Sequence, residues 1–140
     1  MTAAMRRMHA VLPLREQYPA PPHEIVERAV PTGDSQGAIR DLTLLGHFLY
    51  GGLCGAAFTA LPARHSAAAG AVYGIAVWVA SYFGWIPAAG ILRSATDHPL
   101  RRNLMMIVAH AVWGATSAFA CKELDAAKES IFRAGPVKDK

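Results

Sequence analysis

Two histidines lie deep in uncharged sequence: His47, followed by Phe48, Leu49, Tyr50 and Gly51, and His110, followed by Ala111, Val112, Trp113 and Gly114. Both runs read histidine, two apolar residues, an aromatic and a glycine, and Tyr73-Gly74 between them is a partial echo. An imidazole in such surroundings can ligate a haem iron, relay a proton or hydrogen-bond a neighbouring helix, and the pattern leaves all three open. No ligand set at metal spacing accompanies the pair, so no metal site is expected. Tyr50, Tyr82 and Trp113, with Tyr73 and Trp78, carry polar tips into the same apolar stretches. Each needs a partner, for which His47 and His110 are candidates. Soluble-enzyme signatures are missing: there is no Gly-rich phosphate loop, no Gly-x-Ser-x-Gly and no pair of cysteines at zinc spacing. Asp97-His98 reads as a helix cap before it reads as a catalytic pair.

The elements that hold these residues follow from where charge is absent. The chain has 140 residues, 14 Lys and Arg and 10 Asp and Glu. None of these charges falls between Leu42 and Ala63, between Ser66 and Leu92, or between Asn103 and Cys121. A hydrocarbon layer about 30 Å thick needs about 20 apolar residues at 1.5 Å each, and all three runs approach or exceed that length. A surface helix of a soluble bundle would carry a charged face. The expectation is therefore an all-α polytopic membrane protein, a bundle of three transmembrane helices spanning about 42–63, 66–92 and 100–121. The mean hydropathy of +0.22 is modest because polar tails and Ala/Gly-rich spans are averaged together. The net charge of +4 is spread over the segments, with no basic patch for nucleic acid.

Residues 1–41 read as a tail containing one short amphipathic helix over about 22–30, with Ile25, Val26, Ala29 and Val30 opposite Glu24, Glu27 and Arg28. Such a helix is expected in the headgroup plane. Arg6-Arg7 is followed by too short an apolar stretch for a leader, so the first span is expected to direct insertion. The short turn around Pro62, Arg64 and His65 predicts an antiparallel hairpin of spans one and two. Gly84-Trp85-Ile86-Pro87 predicts a kink, after which the helix runs along the interface toward Arg93. Asp97 and Pro99 fit the start of a third helix that continues past Cys121 into water and stops at Gly135-Pro136, residues 122–140 forming a soluble helical extension and tail. Cys54 and Cys121 lie at different depths, and no disulfide is expected.

Gly51-xxx-Gly55 and Gly70-xxx-Gly74 are small-xxx-small motifs suited to close hairpin packing or self-association, and Gly114 follows the aromatic after His110. His47 lies five residues past Leu42 and His110 seven past Asn103, on spans running the same way, so they share a depth and can face each other. Arg93, Arg101 and Arg102 outnumber Arg64 in the short loops, which places the N-terminus in the cytoplasm. Three function classes fit. The first is a non-enzymatic subunit that self-associates or accompanies another membrane protein. The second is a haem-binding or quinone-adjacent membrane anchor using His47 and His110, and the third is an oligomeric channel or proton-linked transporter with the histidine seam as its path.

In pattern, Gly46 to Ala120 resembles the YagU-like small bacterial inner-membrane proteins. The resemblance is carried by Gly46-His47-Phe48, by Trp78 with Trp85-Ile86-Pro87, and by Ala109-His110-Ala111-Val112-Trp113. It covers about half the chain, which is shorter than those proteins, with compact loops and a different tail. The resemblance implies a multi-pass protein of the bacterial plasma membrane, a role for His110 and a link to acid-stress tolerance, with no defined activity.

Overall fold

The computed structural model describes residues 36–130 without interruption, together with Arg7, Ala10, Val11, Pro13, Leu14, His23, Ile25, Val26, Glu27 and Gly135. Those described residues are all-α and contain no strand. Helix α1 spans Gln36–Thr59, α2 spans Ala67–Val79, α3 spans Ile86–Ala88 and α4 spans Leu100–Ser130. A π-helical segment, Ala80–Trp85, joins α2 to α3. Three helical stretches, Gln36–Thr59, Ala67–Ala88 and Leu100–Ser130, are long and apolar enough to cross a membrane. The side chains agree with that reading. Leu45, Phe48, Leu49, Leu53, Val72, Phe83, Leu104 and Phe119 point outward and are exposed, while glycines fill the principal helix contact. Every Ser and Thr in the three helices is satisfied one turn back: Thr43, Thr59, Ser81, Thr116, Ser117 and Ser130 each donate to a backbone carbonyl. Within the spans hydrocarbon offers no other partner.

Helices α2 and α4 form the tight pair. A Cβ on Gly70 would overlap the Gly114 carbonyl, one on Gly74 the His110 carbonyl, and one on Gly114 the Gly70 carbonyl. The two backbones touch because these positions have no side chains. Helix α1 stands apart, with 6% of its apolar window buried against 28% and 33% for the other two. Of the two roles expected for Gly51-xxx-Gly55, close packing of α1 on α2 is not made. At Gly51 and Gly55 a Cβ would meet nothing within 4 Å. The physical reason is aromatic: the Phe58 and Tyr73 rings, 5.0 Å apart, fill the space between α1 and α2 and hold the backbones off.

Ser66 caps α2, its Oγ accepting from the Ala69 amide at 3.3 Å. The predicted kink is a register shift. Pro87 has no amide to offer the ladder, Gly84 leaves helical geometry at φ −109° and ψ −108°, and the Ile86 amide reaches back five residues to the Ser81 carbonyl. The helix then stops at Ala88 instead of running on toward Arg93. Gly90, at φ 69°, accepts the left-handed turn, while its amide bonds to the Pro87 carbonyl and that of Ile91 to the Ile86 carbonyl. This closure is sealed by Ile86 and Ile91 packing in one apolar cluster. Asp97 is not the cap of the last helix. It ends a 3-10 turn, Ala95–Asp97, and the first intrahelical acceptor is the Pro99 carbonyl, bonded to the Asn103 amide.

The connection after α3 tucks inward, burying Leu92 and Ala95 against Trp78, Tyr82, Met105 and Met106. Ile25 packs on that cluster, and His23, Ile25, Val26 and Glu27 are helical. Residues 22, 24 and 28–30 of the expected short helix, and residues 131–134 and 136–140, lie outside the described residues. Helix α4 is 31 residues long, about 46 Å at 1.5 Å per residue. Its last turns pass Cys121 and carry Lys122, Glu123, Asp125, Lys128 and Glu129.

Candidate functional site

His47 on α1 and His110 on α4 line one half-open cleft, together with Tyr50, Gly51, Cys54, Val77 and Trp113. Each histidine arrives there by helical phase. His47, Tyr50, Gly51 and Cys54 fall at successive three- and four-residue steps on α1, and His110 and Trp113 at a three-residue step on α4. Val77 supplies the α2 wall. The cleft holds about 30 Å³, room for one or two waters. Benzene alone occupies an apolar cavity of roughly 150 Å³, so a porphyrin does not fit between the two imidazoles as they stand. Among the described residues no group of three or more His, Cys, Asp or Glu could hold a metal ion.

The two rings are held differently. Nδ1 of His110 lies 2.7 Å from the Met106 carbonyl oxygen. A carbonyl only accepts, so the proton sits on Nδ1, and in the neutral ring Nε2 is the acceptor. His47 makes an edge contact with the Phe48 ring, at 6.2 Å between centroids, and forms no hydrogen bond with any described residue.

The tyrosines have found partners other than the histidines. Ser81 Oγ donates to the Val77 carbonyl at 2.8 Å, so the 2.9 Å contact between Tyr50 and Ser81 has the tyrosine as donor. Trp85 Nε1 in turn donates to the Tyr50 oxygen at 3.4 Å. This chain ties α1 to the π-helical segment. Tyr73 donates to the Cys54 carbonyl at 2.7 Å, which fixes α1 to α2 lower down, and its ring lies 6.3 Å from that of Trp113. Cys54 and Cys121 are free thiols.

Tyr82 stands elsewhere. It is buried in the cluster below the inward-tucked connection, stacked on Trp78 at 5.4 Å and edge-on to His98 at 6.2 Å. Arg102, 3% exposed, donates to His98 Nδ1 at 3.3 Å, because a guanidinium cannot accept. Asn103 donates to the Ala95 carbonyl at 2.6 Å and pins the same connection. Sequence reasoning missed this group, since Arg102 reads as one more loop cation beside Arg101. The available signal was Pro99, which starts a helix early enough to bring Arg102 onto its inward face.

At the opposite end a charged cluster joins the first turn to the α4 extension. Asp125 accepts from Arg64 at 3.1 Å and from His65 Nε2 at 2.8 Å, with Lys128 at 3.4 Å. The hydrogen bonds from His65 and Arg64 hold its carboxyl well below the ordinary range, at about 2. No known family model, curated protein or solved structure matches this chain.

Proposed function

We propose that this protein is a small non-enzymatic membrane subunit that self-associates or accompanies a larger membrane assembly through α1. The observation that carries the reading is the lopsided packing: α2 and α4 interlock, whereas α1 leaves nearly all of its apolar surface open. Its outward face combines the exposed side chains Leu45, Phe48, Leu49 and Leu53 with Gly52, beside the open Gly51 and Gly55. Such a face suits a second helix brought close, as small residues permit. The bacterial plasma membrane is the proposed location, with the N-terminus in the cytoplasm. Arg93 and Arg101 are exposed on that side, and Arg64 on the other is paired with Asp125.

Energy transfer between two fluorophore-labelled pools of the full chain, mixed in lipid vesicles, tests the idea. Transfer that falls at least about tenfold in apparent association constant in Gly52→Leu and Gly55→Leu supports α1 as the contact, a change of about 1.4 kcal/mol. Transfer no greater than that of a non-associating span at every lipid ratio sinks self-association.

A further inference from the structure

We propose that His47 and His110 together form a proton-binding site within the membrane span, bridged by one water held in the cleft between α1 and α4. Four observations converge. The cleft offers about 30 Å³, enough for one or two waters. The Met106 carbonyl fixes the His110 proton on Nδ1, so that Nε2 is an acceptor. His47, half-buried on the facing helix, has no hydrogen bond to any described residue, and an imidazole so placed in an apolar medium needs a partner. Tyr50 is not that partner: its proton goes to Ser81, its oxygen accepts from Trp85 Nε1, and it makes no hydrogen bond with His47.

The electrostatic surroundings define what the site takes. From α1 the titratable groups near the cleft are His47, Tyr50 and Cys54; from α4, His110; and from α2, Tyr73, which donates to the Cys54 carbonyl. None of the residues lining the cleft is Asp, Glu, Lys or Arg. No fixed charge pairs with a cation there, so the two imidazoles and the water are the groups that accept an added proton. When a hydronium delivers it, an O–H bond breaks and an N–H bond forms at His110 Nε2 or at His47, the positive charge passes to that ring, and a water remains. A second proton must enter against the first at close range, which couples the two rings.

The test is nitrogen-15 magnetic resonance of the full chain, histidine-labelled, in lipid vesicles. In the unmodified protein His110 is expected with Nδ1 protonated and Nε2 bare at neutral pH, both rings showing magnetisation transfer from water. On acidification the pair is expected to titrate in two steps at least about 1 pH unit apart, and His47→Gln should collapse the His110 titration to a single step with a moved midpoint. A His110 ring protonated on Nε2, a ring with no contact to water, or two independent titrations that ignore the partner's replacement would each overturn the proposal. The tautomer and the water contact are read on the unmodified chain, so a variant that fails to fold leaves the test intact.

Discussion

Tyr50 shows how a polar tip is accommodated where water is scarce. Its hydroxyl joins Trp85, Ser81 and the Val77 carbonyl in one chain of donors and acceptors. Tyr50→Phe leaves Ser81 bonded to Val77 and deprives only the Trp85 indole, on an exposed side chain, of its acceptor. The expected loss is small, about 0.6 kcal/mol, as for interhelical hydrogen bonds in membranes generally, and is checked by the unfolding equilibrium in mixed micelles. Asp125 makes a different forecast. Its folded carboxyl titrates near 2, below its ordinary value of 3.8, so its contribution to stability is complete above about pH 4. As pH falls toward 2 the carboxylate is protonated and the contribution vanishes. The melting temperature of the native protein should therefore drop toward that of Asp125→Asn between pH 4 and pH 2, and the gap above pH 4 should narrow in high salt. A gap that persists unchanged at pH 2 would contradict the assignment. Counting 1.5 Å per residue was enough to see that His47 and His110 share a depth. Their surroundings were illegible, because the tyrosine partners Ser81 and Cys54 depend on how the helices rotate about their axes.

At the scale of elements, glycines in similar sequence contexts have opposite roles. Gly74→Ala drives a methyl group into the His110 carbonyl, which forces α2 and α4 apart. A loss of about 2 kcal/mol is expected, typical of overpacking. Gly51→Ala enters open space and should be neutral or stabilising by up to about 1 kcal/mol through helix propensity. The pair of variants, compared by thermal unfolding in the same detergent, separates a contact glycine from a free one. The sequence could not make this distinction. Gly51-xxx-Gly55 and Gly70-xxx-Gly74 have the same spacing, and the difference lies in the Phe58 and Tyr73 rings that wedge α1 away from α2. Helix existence and the break near Pro87 were readable, because charge-free length and a missing amide act locally. The inward fold of residues 89–99 was not, since it depends on Leu92 and Ala95 meeting Trp78, Tyr82, Met105 and Met106 across the chain.

For the whole molecule, three crossings put the start of α1 and the end of α4 on opposite sides of the bilayer. With Cys54 and Cys121 replaced by alanine, Gly37→Cys and Gly135→Cys should react with a membrane-impermeant maleimide from opposite faces of oriented vesicles. Labelling of both from one face would remove one of the three crossings. The overall class was legible from the partition of charge alone, which is a property of the entire chain. The internal asymmetry was not: all three runs are apolar and rich in small residues, and only the three-dimensional pairing singles out α1.

The π-helical segment from Ala80 to Trp85 can be viewed as an α-helix that has absorbed one surplus residue. One residue corresponds to about 100° of azimuth, from 3.6 residues per turn, so everything beyond Gly84 is rotated relative to an uninterrupted helix. That rotation places the Trp85 indole on the side of Tyr50. Shortening this stretch by a single codon would restore an ordinary ladder and turn Trp85 away from α1. The meeting of α1 with the π-helical segment is thus encoded as a length, and an insertion or deletion here would alter it more than most substitutions.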